Sequence, residues 1–349
     1  MCPLPGRAAR PATATPARTT LAPLIARDLT LFKKLGWQAF VEHRRATTDF
    51  ASLSNVDHPA QRLLKFYKER GAPAKMSTAP WSRDQISAAL ARGAHRSCMD
   101  HLEFLEEEFV DMIQKSQWVV LPAAEVAHLP GLRISPPGVV PQRDRRPRWI
   151  CDYTWSRVNQ DTLPLAALDA MQFGHALDRI LREIILADPS LGPVQLLKLD
   201  LSDGFYRVSL NVADIPKLGV VFPTKPGDPQ LVAFPLVLPM GWKNSPPVFS
   251  TATETIADLA NQRIRSGSTP LPHALDDMAE AAKAECPIGG ARPPAKGAHL
   301  PSPPRDPSLP SASAPASYVD VFVDDFIALA QGRSNGRRVR RILLHAVDD

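Results

Sequence analysis

One stretch constrains the fold of this chain more than any other. Between Tyr318 and Ala330, two runs of β-forming residues, Tyr318 to Val323 and Phe326 to Ala330, flank the pair Asp324-Asp325. Apolar strands joined by a tight acidic turn predict a β-hairpin with both carboxylates at its tip. Adjacent carboxylates repel each other, so a fold that keeps both ionised usually supplies a cation. A solvated turn is the plainer account, since Asp is a common turn residue. The balance is decided upstream. In Lys198-Leu-Asp-Leu-Ser-Asp-Gly-Phe205, Asp200 ends the apolar strand predicted over Val194 to Leu199, and Asp203 follows on the next turn of chain. A carboxylate at a strand end beside a carboxylate-tipped hairpin suits two divalent cations, about 3.5–4 Å apart in such sites. Each would take hard oxygen ligands, and Mg²⁺ prefers one or two carboxylates plus substrate phosphate.

Composition narrows the classes. A chain of 349 residues can bury one or two cores, and 36 prolines are about twice the usual share. Nine of them fall in residues 287–317, which hold no aromatic residue before Tyr318; such a segment cannot build a core. The net charge of +5 suits a polyanionic partner without demanding one. Arginines cluster at Arg143, Arg145, Arg146 and Arg148, and again at Arg333, Arg337, Arg338, Arg340 and Arg341. Cys2, Cys98, Cys151 and Cys286 are scattered with no Cys-x-x-Cys pair, which argues against a disulfide framework and a zinc ribbon. His95-x-x-Cys98-x-x-His101 sets three metal-capable groups on adjacent turns, but no fourth ligand is near in sequence and the stretch reads as helix surface. No apolar run reaches the length of a membrane span, and the compartment expected is intracellular, cytoplasmic or nuclear.

Along the chain, residues 1–28 read as a disordered basic tail and 29–129 as a mainly helical region. Helices are expected over Leu29 to Arg45, Pro59 to Arg70 and Ser82 to Gln117. Strands and turns follow from Leu132 to Asp152, and an amphipathic helix from Phe173 to Ala187. Phe205 to Leu210 reads as extended, and Leu218 to Phe222 and Leu231 to Leu238 as strands. Ser245 before Pro246 marks a helix start, with Ser245 as N-cap and the helix running to about Ile264. A disordered Pro-rich insert is expected at about 265–317, and a basic helix from Gly336 to Val347.

Three blocks, in order, carry a resemblance. Lys-Leu-Asp200-Leu-Ser-Asp203-Gly-Phe205, Leu-Pro-Met240-Gly-Trp-Lys-Asn-Ser-Pro246 and Phe322-Val-Asp324-Asp325 resemble the sequence blocks of reverse transcriptases of the LTR-retrotransposon and retroviral type. A fourth, Arg148-Trp-Ile-Cys-Asp152-Tyr153 through Asn159, is similar to that family's fingers strand. The resemblance covers about residues 130–349. It implies an α+β fold: a right-hand polymerase palm, an antiparallel sheet with helices on one face, plus fingers, preceded by the helical N-terminal region. It also implies a chain cut before the family's thumb.

Carried over residue by residue, the resemblance implies that Asp200, Asp324 and Asp325 are catalytic and hold two Mg²⁺ ions, with Mn²⁺ as a substitute. Phe205 matches the aromatic that excludes a ribose 2′-hydroxyl. Asp203 and Gly204 would offer backbone N–H groups to the triphosphate, and Met240 and Gly241 would line the nucleotide pocket, with Trp242 a packing residue. Arg148 matches the arginine that holds the incoming phosphates, and Arg143 or Arg145 the basic residue before it; Arg is suited to this by its permanent charge and bidentate geometry. The implied partners are a primer on an RNA or DNA template, dNTPs, and thumb or RNase H regions of a longer polyprotein. Two further expectations stand beside this one: a retroelement fragment that binds nucleic acid without polymerising, and an RNA-dependent RNA polymerase, against which Phe205 and the Gly-Trp-Lys-x-Ser-Pro block argue.

Overall fold

The computed structural model describes residues 20–45, 53, 56–143, 145–166, 172–225, 227–276, 278 and 314–349. In chain order its main elements are α1 (Leu21–Arg44), α2 (Gln61–Arg70), α3 (Arg83–Arg92), α4 (Leu102–Gln114), β1 (Trp118–Pro122), β2 (Ile134–Ser135), β3 (Pro137–Gln142) and β4 (Arg145–Cys151). Then come α5 (Ala176–Leu186), β5 (Val194–Asp200), β6 (Gly219–Phe222), β7 (Leu231–Pro235), α6 (Ser245–Arg265), β8 (Ser317–Phe322), β9 (Asp325–Gln331) and α7 (Arg333–Asp348). The fold is mixed α+β with small antiparallel and mixed sheets. Among the described residues no helix is long and apolar enough to cross a membrane.

The chain divides into two units, each interleaved in sequence. The first takes residues 1–46, 79–158 and 212–236. Its four-stranded sheet runs β1-β7-β6-β2, and β3 and β4 form a separate antiparallel ribbon. The core is aromatic: Phe109 meets Trp118, Trp149 and Phe222 edge-on, at 5.7, 4.9 and 4.9 Å between ring centroids. Such edge-to-face pairs add about 0.5–1.5 kcal/mol each beyond their buried area.

The second unit takes residues 47–78, 159–211 and 237–349. Its sheet is antiparallel in the order β5-β9-β8. Strand alternation sends Val319, Val321, Phe326, Ala328 and Ala330 to one face, where they pack with Ala257 and Ala260 of α6 and with Val339, Ile342, Leu343 and Ala346 of α7. The other face carries Tyr318, Asp320, Asp325, Lys198 and Asp200. There α5 docks against β8 through Arg179, which grips the buried Asp320 carboxylate by two hydrogen bonds of 2.7 Å. Helices therefore lie on both faces of this sheet, where a single helical face was expected.

Several boundaries differ from expectation. The tail expected over residues 1–28 is helical from Leu21, because Leu21, Leu24 and Phe32 share a buried face of α1; residues 1–19 lie outside the described residues. The helix expected over Ser82 to Gln117 is broken at Gly93, whose φ of +72° no helix accommodates. Phe205 to Leu210 is no strand: Gly204–Arg207 form a 3-10 turn, and Ser209 makes only an isolated antiparallel bridge to Val237. The helix at Ser245 starts where expected, but Asn244 occupies the cap position. Ser245 Oγ instead donates to the Pro239 carbonyl at 2.7 Å. Of the insert expected at 265–317, residues 266–276 are held against α7. Arg338 donates to the Ser268 carbonyl, and Asp276 is clasped by Arg340 and Arg341. Although burial works the other way, hydrogen bonds from Arg341, the His273 N–H and Arg340 hold the Asp276 carboxyl down at about 2. Most of the remainder, including residues 279–313 with eight of the nine prolines, lies outside the described residues.

Candidate active site

The second unit gathers the acidic motifs. The β5–β9 register sets Asp200 directly across from Asp325, and β8–β9 sets Phe322 across from Asp325. The hairpin turn is thus Val323-Asp324, one residue earlier than the sequence implies, and Asp325 already belongs to β9. The shift follows from strand alternation. Phe326 is fully buried among the core residues beneath the sheet, and that fixes Asp325 on the opposite face, beside Asp200; a one-residue slip of β9 would turn Asp325 toward the core and Phe326 out of it.

The turn itself is strained. Val323 has φ of +60°, and Asp324 is not in the left-handed region. A two-residue loop with positive φ at its first position is the type II′ pattern, which normally carries Gly there. A β-branched residue in that conformation costs about 1–3 kcal/mol, a cost that concentrates at functional sites.

The carboxylates are crowded. A hydrogen bond to Asp325, partial desolvation and the negative charges of Asp325 and Asp324 push the Asp200 carboxyl above its ordinary range, against the pull of Lys198. Lys198 Nζ lies 2.8 Å from Asp325 Oδ1, and that hydrogen bond, with the charges of all three aspartates, raises the lysine in turn. One flexible ammonium, 62 % exposed, faces three carboxylates. The donor set is all hard oxygen with surplus negative charge, which fits Mg²⁺ or Mn²⁺. Among the described residues, no group of three or more His, Cys, Asp or Glu side chains stands close enough together as placed to hold an ion.

The loop after β5 packs against the same spot. Asp203 adopts the left-handed conformation, φ +58° and ψ +27°, and turns the chain into Gly204–Arg207. Its carbonyl accepts from the Tyr206 N–H at 2.8 Å. A Cβ on Gly204 would come within 3.1 Å of Phe249 Cζ and 3.4 Å of Asp324 Cβ, so a larger residue here would press on the Phe249 ring by a few tenths of an ångström where the loop lies against the hairpin turn and α6. Phe205 is half-buried and stacks edge-on against Phe249 at 5.4 Å. Met240 is half-buried and Gly241 exposed with φ of +97°.

Sequence reasoning gave Asn159 no role, yet its amide pins that turn. Asn159 Nδ2 donates to the Gly241 carbonyl and Oδ1 accepts from the Lys243 N–H, each at 2.9 Å. Trp242 is buried, its indole N–H donating to Thr162 Oγ1 at 3.2 Å. The Arg179–Asp320 pair was also missed. Tyr318 Oη adds a third hydrogen bond to Asp320 at 2.9 Å, and burial and that bond push the tyrosine up to about 12. No spacing rule links Arg179 to a residue so distant in sequence.

The basic candidates belong to the first unit. Arg148 lies exposed on β4 across from Val140, Arg145 begins β4, and Arg143 sits where β3 turns into β4. The register shifts by one residue between Val140 and Gln142, so Arg148, across from Val140, and Arg145, across from Gln142, fall on the same face of the ribbon. Arg146 is engaged, 3.0 Å from Glu108 and over the Phe104 ring. His95 pairs with Asp152 at 3.0 Å rather than joining Cys98, whose buried thiol donates to the Pro137 carbonyl and is pushed up to about 12 by burial. No protein-family model matches the chain, and no curated protein matches it.

Proposed function

We propose that this chain is the fingers-and-palm portion of a retroelement reverse transcriptase, an RNA-directed DNA polymerase that extends a primer on an RNA or DNA template. The observation that supports this reading best is the register that sets Asp200 across from Asp325, next to Asp324, on the sheet face turned away from α6 and α7. Crowded, under-neutralised carboxylates at a strand end and a strained turn are what a nucleotidyl-transfer centre needs.

Asp200, Asp324 and Asp325 would hold two Mg²⁺ ions, which when bound supply the charge that activates a primer 3′-hydroxyl and steadies the leaving pyrophosphate. In this reading Lys198 keeps the carboxylates apart from one another's full repulsion before substrate arrives. Asp203 and Gly204 present backbone N–H groups to the triphosphate; the arginines that the resemblance assigns to its oxygens, Arg148 with Arg143 or Arg145, belong to the first unit. Met240 and Gly241 border the base and sugar, held by Asn159. Phe205, braced by Phe249, stands where a ribose 2′-hydroxyl would collide with it.

The test is primer extension on an RNA template with Mg²⁺ and dNTPs. Asp324→Asn should lower extension by about 100- to 1,000-fold, the scale at which one electrostatic group counts at a reacting centre. Extension that survives the substitution would refute the assignment. Phe205→Val should leave dNTP use largely intact and raise rNTP incorporation; unchanged discrimination would remove Phe205 from its role.

A further inference from the structure

The helix α5 has two unlike sides. Ala176 and Ile180 are buried against the unit, and Arg179 is bound to Asp320. On the outer side Leu177, Leu181 and Ile185 are 65 %, 46 % and 73 % exposed. Spaced four residues apart, they form one aliphatic line along the helix. Asp178 and Arg182, both exposed, stand together on one flank of that line. Asp178 has only a long contact of 3.9 Å to His175.

We propose that this line is the contact through which two copies of the chain associate, with the α5 helices antiparallel about a two-fold axis at Leu181. The pattern is self-complementary in that arrangement and no other. Leu181 meets its own image, and Leu177 meets Ile185 of the second copy at both ends. Asp178 falls about 3 Å along the axis from Arg182 of the second copy, from the 1.5 Å rise per residue, so two reciprocal ion pairs close the same flank. Both partners use one patch, as a two-fold interface requires. A parallel two-fold arrangement would turn this flank toward the opposite flank of the second copy, so Asp178 and Arg182 would not meet. A lipid surface suits a helix flanked by Lys and Arg, whereas this flank carries one charge of each sign.

Sedimentation equilibrium of the full chain tests the proposal. The wild type should show a concentration-dependent monomer–dimer equilibrium, and Leu181→Glu should weaken it by at least about 10-fold, the loss typical of a central contact residue. Asp178→Arg should weaken association, and adding Arg182→Asp should restore it, since the double exchange rebuilds both pairs. Under mild oxidation Leu181→Cys should yield a disulfide-linked dimer in excess of the wild-type blank, while Ser190→Cys should not. These positions are exposed, and matching circular dichroism spectra check that each variant is folded. A wild type that stays monomeric to about 100 µM, well above the range of specific complexes, overturns the proposal. So does a dimer indifferent to Leu181→Glu, or a double exchange that fails to recover.

Discussion

The β8–β9 hairpin holds two kinds of carboxylate a few residues apart. Asp320 is buried and satisfied: Arg179 grips it twice, Tyr318 donates to it, and the Val321 N–H adds a bond at 2.8 Å. Asp324 and Asp325 are half-buried, beside Asp200, and Lys198 Nζ pairs with Asp325. The same residue type is thus a clamp at one position and a source of repulsion at the other. What separates them is how many donors the fold delivers, not the side chain. A satisfied carboxylate stabilises the structure around it; a crowded one is held there by the rest of the fold and is free to take a ligand.

That contrast can be broken from the satisfied side first. Arg179→Ala should leave Asp320 buried with half its partners gone, and breaking such a pair costs about 3–5 kcal/mol. Denaturant unfolding measures it directly. Replacing Arg179 and Asp320 together by Met and Leu should recover most of that loss, because no buried charge remains. If Arg179→Ala alone is as stable as the wild type, Asp320 is not the clamp described above.

How much of this was legible beforehand depends on the range of the interaction. The helix from Ser245, the strand ending at Asp200 and the acidic hairpin follow from local rules of periodicity and turn chemistry, and all three stand close to where those rules put them. Misses fall where a distant partner decides. Residues 266–276 are tied down by Arg338, Arg340 and Arg341 of α7, and nothing within that segment announces it. The one-residue error at the hairpin tip has a different origin. Asp324-Asp325 is the better local turn pair, but burying Phe326 fixes the register and forces Val323 into a conformation its own propensity opposes. The acidic constellation was readable as a set of residues; the partners that separate Asp320 from Asp325 were not.

The strained turn offers the next test. Val323→Gly removes the β-branched clash at positive φ, worth about 1–2 kcal/mol, and loses about 0.5–1 kcal/mol to the greater entropy of the unfolded chain. A net gain of up to roughly 1 kcal/mol in unfolding free energy is expected, together with slower primer extension, because the turn that places Asp324 becomes looser. A variant that is both more stable and fully active would mean that the strain serves no purpose.

The smallest effect probes the crowded side. The Asp200 carboxyl lies above its unfolded range chiefly through its hydrogen bond to Asp325 and the charges beside it. A raised carboxyl stabilises the folded chain below the unfolded carboxylate range of about 4 and forfeits that contribution as pH rises through the folded value. Asp200→Asn keeps a hydrogen-bonding side chain and cannot ionise. Its melting temperature should therefore match the wild type below the unfolded carboxylate range and exceed it progressively as pH rises above about 4. Adding Mg²⁺ at neutral pH should narrow the gap, since a cation bound by the native state alone raises the wild type by mass action. A gap constant across pH would show that Asp200 and Asp325 do not repel, and the two sides of the hairpin would then differ in burial but not in charge balance.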